Sequence, residues 1–198
     1  YAYVAFLAIL LTYGFETAFF HFSEKEKNIK LVYSTAFISL TLSSLFFVVF
    51  IFSGSTTIAD CLGQGIEGRF IEWFAIIIAI DAISAISFAK LRKEEKAIQF
   101  ATIKLFGIAL NIVLNLYFII HKGFGIEYIF ISNLISSIFT ILCLSKEIIK
   151  VKLVFNINIW KKMVIYALPL LIAGLAGMIN ETIDRILLKH LLPNTETA

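Results

Sequence analysis

The sequence predicts an all-α integral membrane protein with six transmembrane helices. Hydrophobic residues make up 60% of the 198 residues and charged residues only 16%, whereas soluble domains are roughly a quarter charged. The apolar residues fall into runs separated by short charged clusters. Each run has about 20 residues or more, which is the length that crosses the hydrocarbon core of a bilayer as a helix.

The six runs are predicted to form one span each. The last run is the longest and has room to tilt or to extend beyond the membrane core. The predicted spans cover residues 1–22, 31–53, 70–89, 98–120, 126–148 and 163–190.

The connections between the spans alternate between basic and weakly charged. Three connections are basic: 23–30 holds three of the 17 Lys and Arg residues, 90–97 holds four, and 149–162 holds five. The count for 149–162 includes Lys146, at the end of the span before it. The connections at 54–69 and 121–125 hold one each. Cytoplasmic segments collect Lys and Arg because these residues are rarely carried across the bilayer. We therefore expect the three basic connections to be cytoplasmic.

Two carboxylates lie inside the apolar spans, where an ionisable group is costly unless it faces protein or water. Glu16 lies in the first span, one turn after Thr12, and Asp81 lies in the middle of the third. Either carboxylate can line a transport path and there contact a substrate or carry a proton. The alternative is structural: a bond to a neighbouring helix, or hydration of Glu16 near the cytoplasmic face. An ion pair between Asp81 and Lys104 would be compatible with either role of Asp81.

The fourth span carries a polar stripe. Lys104, Asn111 and Asn115 are spaced seven and four residues apart, which places them on one face of a helix. Such a stripe is expected to face a water-filled or protein-lined interior. The alternative for Lys104 is that its ammonium reaches the cytoplasmic interface, which is one or two turns away.

Further polar residues lie in the last two spans. In the fifth span, small polar residues at helical spacing favour close helix packing over ligand binding; they are Asn133, Ser136, Ser137 and Thr140. In the sixth, Asn180, Glu181, Asp184 and Arg185 form two pairs four residues apart. We interpret these four residues as a polar patch in the outer half of a transport path. The alternative is a set of mutually satisfied charges near the outer interface.

The sequence contains no signature of a metal site or of a common hydrolase. Its three histidines, His21, His121 and His190, have no ligand spacing, and no HExxH, GxSxG or phosphate-binding glycine loop is present. We therefore predict no metal, no cofactor and no nucleic-acid partner, and a protein that is not an enzyme. A membrane enzyme acting on lipid-linked sugars stays open as an alternative, since its signatures can be subtle.

Three segments resemble the polysaccharide-transporter branch of the MOP flippase superfamily, whose related branch contains the multidrug and toxic compound extrusion transporters. They are residues 11–22, 73–92 and 168–188. The resemblance implies a truncated two-lobe transporter. Residues 1–150 would be the second to sixth helices of the N-terminal lobe, and residues 151–198 a cytoplasmic connector with the first helix of the C-terminal lobe.

The resemblance also implies a function. Such a protein flips lipid-linked oligosaccharide on an undecaprenyl-type carrier across the bacterial cytoplasmic membrane by alternating access, through a cavity between the lobes. Lys104, Asn111, Asn115 and Tyr13 would supply a cation, amides and an aromatic face for the diphosphate and sugars. The alternative is an exporter of small molecules that uses Glu16 or Asp81 as the site of a coupling ion, H⁺ or Na⁺.

Overall fold

The computed structural model describes residues 2–62, 68–123, 125, 127–149, 151 and 154–191. For residues 2–5, 59–62 and 181–191 it describes the backbone and not the side chains. These residues form helices and contain no strand. The helices are α1 (Ala2–Thr12), α2 (Phe15–Lys25), α3 (Ile29–Leu62), α4 (Gly68–Lys93), α5 (Ala97–Asn115), a π-helical segment (Leu116–His121), α6 (Glu127–Ile149) and α7 (Ile157–Leu191).

The described residues contain six stretches that are long and apolar enough to cross a membrane. The six predicted spans are thereby confirmed, and the chain is a multi-pass membrane protein. The stretches run over Phe6–Lys25, Ile29–Ile58, Gly68–Lys93, Ala97–His121, Glu127–Ile149 and Ile157–Asn180.

The first span is broken in the middle, which the continuous apolar run did not predict. Tyr13 and Gly14 both have positive φ, at 34° and 70°, so α1 ends before them and α2 begins after them. A Cβ at Gly14 would lie 3.2 Å from the carbonyl oxygen of Ala167 and 3.3 Å from the Cβ of Leu170. Glycine therefore permits both the left-handed backbone and the close approach of α7.

The fourth span also departs from one regular helix. After Asn115, α5 continues as the π-helical segment, in which the amide of Lys122 donates to the carbonyl of Tyr117 five residues earlier, at 3.1 Å. Such wider turns are uncommon and usually short. The span therefore keeps its length, but its last six residues are wound differently from α5.

The core is built around α4, which packs against α3, α6, α1, α2 and α5. Phe15 and Phe19 of α2 are fully buried in the main apolar cluster, together with residues of α3, α4 and α7. By contrast, α5 and α7 present rows of exposed large apolar side chains, such as Leu105, Phe106 and Ile172. Helices with apolar outer faces are favourable in contact with lipid, whereas the same faces would be unfavourable in water.

The predicted basic connections meet at one end of the bundle. Lys93, at the end of α4, donates to Glu24 of α2 at 2.9 Å, and Lys162 of α7 donates to Glu26 at 3.1 Å. Lys90 donates to Glu147 near the end of α6 at 2.7 Å. These ion pairs join the ends of α2, α4, α6 and α7, so the alternating charge pattern of the sequence corresponds to one basic end in space.

Candidate functional site

A cavity of about 540 Å³ lies between α2, α4, α5 and α6. Its size is that of a small-molecule binding site. The cavity lining is mainly polar, with two aromatic rings and a short apolar edge. The residues are Glu16, Asp81, Ser84, Ala85, Phe88, Arg92, Phe100, Lys104, Gly107, Ile108, Asn111, Ile112, Asn133, Ser136, Ser137 and Thr140.

The cavity brings together four of the candidate site residues: Glu16, Asp81, Lys104 and Asn111. They come from three helices that are far apart in the chain. The four small polar residues of the fifth span, which the sequence assigned to helix packing, also line the cavity. All of the lining residues lie within 16–140, so α7 contributes none of them. The resemblance implied a cavity between two lobes, whereas every described side chain that lines this cavity belongs to the first 150 residues.

Asp81 faces the cavity from the middle of α4. Its carboxylate accepts a hydrogen bond of 2.8 Å from the hydroxyl of Ser137 on α6. The sequence allowed an ion pair with Lys104, but no ion pair between the two is found among the described side chains within 4.0 Å. Asp81 is thus held in place by a neutral donor.

Lys104 faces the same cavity from α5. Its ammonium lies 4.6 Å from the ring centroid of Phe88 on α4, a cation–π contact. Among the side chains that the structure describes, no carboxylate pairs with it. Asp81 lines the same cavity and interacts with Lys104 electrostatically, but from beyond 4.0 Å. The ammonium therefore makes no direct ion pair with a described carboxylate and is accessible from the cavity.

The two asparagines of the stripe form a ladder toward α6. Asn111 donates to Asn133 at 2.9 Å, and Asn115 donates to Asn111 at 2.6 Å. Asn115 does not line the cavity, and its own side-chain oxygen is buried with no hydrogen-bond partner within the described part of the chain. Asn111 therefore faces the cavity and braces α5 against α6 at once.

Arg92 is the functional candidate that sequence reasoning missed. It was counted as one charge of a basic connection, but its side chain turns back into the cavity and pairs with Glu16 of α2. The guanidinium also lies 5.1 Å and 5.6 Å from the ring centroids of Phe20 and Phe100. No local pattern in the sequence marks Arg92, because its partners lie on α2 and α5 and meet it only when these helices pack against α4.

The remaining predicted residues lie elsewhere. The hydroxyl of Tyr13, at the break of the first span, shares a 2.7 Å hydrogen bond with Ser39, and Ser39 also accepts one from Trp160. Asn180 is exposed on α7, away from the cavity. The side chains of Asp184 and Arg185 lie outside the described residues. No group of three potential metal ligands occurs within the described ranges.

Gly107 sets the distance between α5 and α6 at the wall of the cavity. Ser136 donates to its carbonyl at 2.7 Å, and a Cβ there would lie 3.0 Å from the hydroxyl of Thr140. We expect Gly107→Ala to separate the two helices and lower the melting temperature in detergent, and Thr140→Ala to restore it in the double variant. Gly177→Ala is the control, since no atom lies within 4 Å of its Cβ. Equal melting temperatures of Gly107→Ala and Gly177→Ala would contradict the close packing of α5 and α6 at Gly107.

Comparison with models of protein families gives a match over nearly the whole chain. The model of a family described as polysaccharide biosynthesis protein matches residues 1–197. No curated protein and no solved structure matches the chain.

Proposed function

Because the chain belongs to the family of polysaccharide biosynthesis proteins, we propose that it flips lipid-linked oligosaccharide precursors across the bacterial cytoplasmic membrane. In this proposal the 540 Å³ cavity receives the diphosphate and the first sugar of the precursor. The observation that carries the proposal is the ammonium of Lys104, which faces a polar cavity inside a membrane bundle and makes no direct ion pair with any described side chain.

The charges of the cavity suit a diphosphate. Lys104 offers a free point charge, and Arg92 offers a planar guanidinium that can bind two phosphate oxygens at once. Arg92 is held by Glu16 in the structure. An incoming diphosphate carries more negative charge than the carboxylate and would compete with Glu16 for the guanidinium. Lys104 and Arg92 would then bind the anion together.

The uncharged lining suits a sugar. Asn111 and Asn133 present amides, Ser84 presents a hydroxyl that is buried with no hydrogen-bond partner in the described part of the chain, and Phe100 presents an aromatic ring. Sugars bind through hydroxyl contacts to such amide and hydroxyl groups and by stacking on aromatic faces.

The edge of the cavity suits a lipid tail. Ile108 and Ile112 of α5 line the cavity and are also more than half exposed, at 55% and 52%. They continue into the apolar outer face of α5. A precursor can therefore place its anionic head in the cavity while its hydrocarbon chain stays against the lipid-facing surface, which avoids burying the chain in a polar site.

The proposal is tested by reconstituting the intact protein in vesicles with an undecaprenyl-diphosphate-linked oligosaccharide that carries a fluorescent sugar. Protein-dependent movement, read as the fraction of fluorophore accessible to a membrane-impermeant quencher, is the expected result. Vesicles without protein, and vesicles with an unrelated membrane protein, are the controls. Hydrolysis or transfer of the sugar instead of movement would favour the enzyme alternative.

A second candidate function rests on Asp81. Its carboxylate faces the same cavity, and among the described side chains Ser137 is its hydrogen-bond partner. A carboxylate with so few direct partners suits a site that binds and releases H⁺ or Na⁺. Ion-coupled export of a small molecule would then be the activity. Dye efflux that Asp81→Asn abolishes, without movement of the lipid-linked precursor, would favour the exporter over the flippase.

The orientation of the bundle is tested by cysteine labelling. We expect the basic end to be cytoplasmic, because cytoplasmic segments collect Lys and Arg. In a background with Cys61 and Cys143 replaced by serine, an impermeant thiol reagent applied from outside should label Gly125→Cys and leave Lys27→Cys unlabelled until the membrane is opened. The reverse pattern would invert the orientation.

A further inference from the structure

A second cavity, of about 370 Å³, lies at the basic end of the bundle. It is formed by the start of α3, the end of α4 with the turn after it, and the end of α6, and it shares no lining residue with the first cavity. Its charged and hydroxyl-bearing residues, apart from Tyr33, are Lys30, Ser34, Lys90, Glu94, Lys96 and Glu147.

The charges of this cavity do not cancel. Lys90 and Lys96 contact Glu147 at 2.7 Å and 3.5 Å, and Lys96 contacts Glu94 at 2.6 Å. The hydrogen bond to Glu94 raises the pKa of Lys96 above its ordinary value, so its ammonium stays charged. Lys30 makes no ion pair with any described side chain. Three lysines against two glutamates leave one positive charge, which a phosphodiester would neutralise.

The hydroxyl of Ser34 lines the cavity beside Lys30. Ser34 is only 2% exposed and makes no hydrogen bond within the part of the chain that the structure describes. It lines this cavity and a smaller adjoining one of about 140 Å³, and Lys30 does the same. Its hydroxyl therefore lies where a ligand in either cavity could reach it. An oxygen acceptor in the cavity would satisfy both Ser34 and Lys30.

The position and the rim of the cavity point to a lipid as the source of that acceptor. The cavity lies where the spans Ile29–Ile58 and Gly68–Lys93 end, which is the level of the headgroups. Ile29 lines it and is 43% exposed. A free phosphate would leave this apolar side chain unused, whereas an acyl chain would cover it. Basic pockets between helices at this level bind anionic headgroups in other membrane proteins.

We propose that this second cavity binds the phosphate of an anionic membrane phospholipid, with Lys30 and Ser34 contacting the phosphate oxygens and Ile29 contacting the acyl chain. The site is independent of the proposed transport function, since none of its residues lines the first cavity.

The experiment measures lipid retained by the purified intact protein. Protein in detergent is mixed with equal amounts of dioleoylphosphatidylglycerol and dioleoylphosphatidylcholine, passed through gel filtration, and its lipids are quantified by mass spectrometry. We expect phosphatidylglycerol in excess. Lys30→Gln should lower its apparent affinity roughly tenfold, the size of one charge-assisted hydrogen bond, and Ser34→Ala should lower it less. Lys27→Gln is the control, since Lys27 is a neighbouring exposed lysine that lines neither cavity.

Two results would overturn the proposal. The first is a failure of selective binding. It would appear as equal retention of the two lipids by the wild type, or as unchanged retention of phosphatidylglycerol by both the Lys30 and the Ser34 variants. The other is a rise in melting temperature with inorganic phosphate that depends on Lys30, without selective retention of phosphatidylglycerol, which would assign the site to free phosphate. Both variants are expected to fold, because neither Lys30 nor Ser34 pairs with a described side chain, and their melting curves check this.

Discussion

Lys104→Ala is expected to reduce movement of the lipid-linked precursor by the intact protein by roughly ten- to a hundredfold, with expression and melting temperature near those of the wild type. Lys104 contacts the ring of Phe88 and makes no direct ion pair with a described side chain, while Asp81 interacts with it only from beyond 4.0 Å. Its loss therefore removes little folding energy. If its ammonium binds the diphosphate, the change removes a charged hydrogen bond of about 1.5–3 kcal/mol.

Three companion variants separate binding from structure. Lys104→Arg should keep part of the activity, because it keeps the charge but changes the donor geometry. Lys122→Ala, at the other end of the same span, should leave transport unchanged. Asp81→Ala combined with Lys104→Ala should be no better than Lys104→Ala, because the two residues are not ion-paired in the structure. Normal transport by Lys104→Ala would exclude substrate binding, and rescue by the double variant would assign Lys104 to a structural ion pair.

Glu147→Ala is expected to lower the free energy of unfolding by about 3–5 kcal/mol. The side chains of Glu147 and Lys90 are only 3% and 12% exposed, and 2.7 Å separates their charged atoms. Removing the carboxylate would leave the ammonium of Lys90 buried without its closest counter-ion, which is far costlier than losing an exposed pair. Unfolding in detergent, followed by circular dichroism against denaturant, measures the loss.

The controls for Glu147 use the same end of the bundle. Glu24→Ala removes the partner of Lys93, but Glu24 is 72% exposed, so stability should hardly change. Replacing the buried pair together, as Lys90→Met with Glu147→Leu, should recover much of the stability because no uncompensated charge remains. A Glu147→Ala variant as stable as Glu24→Ala would show that the pair contributes nothing.

The sequence by itself determined the membrane fold and its basic end. A bilayer demands about 20 apolar residues for each helix and internal pairing of every backbone group, and both demands are local along the chain. The six spans and the alternating Lys and Arg clusters could therefore be read directly. The same holds for the stripe of Lys104, Asn111 and Asn115, since helical periodicity places residues seven and four apart on one face.

Only the tertiary structure decided which polar groups meet. Periodicity says which face of a helix is polar but not which helix lies opposite. It therefore could not show that Asp81 bonds to Ser137 and not to Lys104, that Arg92 turns into the cavity to pair with Glu16, or that Tyr13 lies outside it.

The sequence could not predict the break of the first span at Gly14, for a related reason. An apolar run is compatible with a continuous or an interrupted helix, and a single glycine inside it costs only about 1 kcal/mol. The close approach of Ala167 and Leu170 of α7 favours the interrupted form at this glycine. Contacts between distant segments, which no local pattern encodes, thus decided both the shape of the first span and the composition of the cavity.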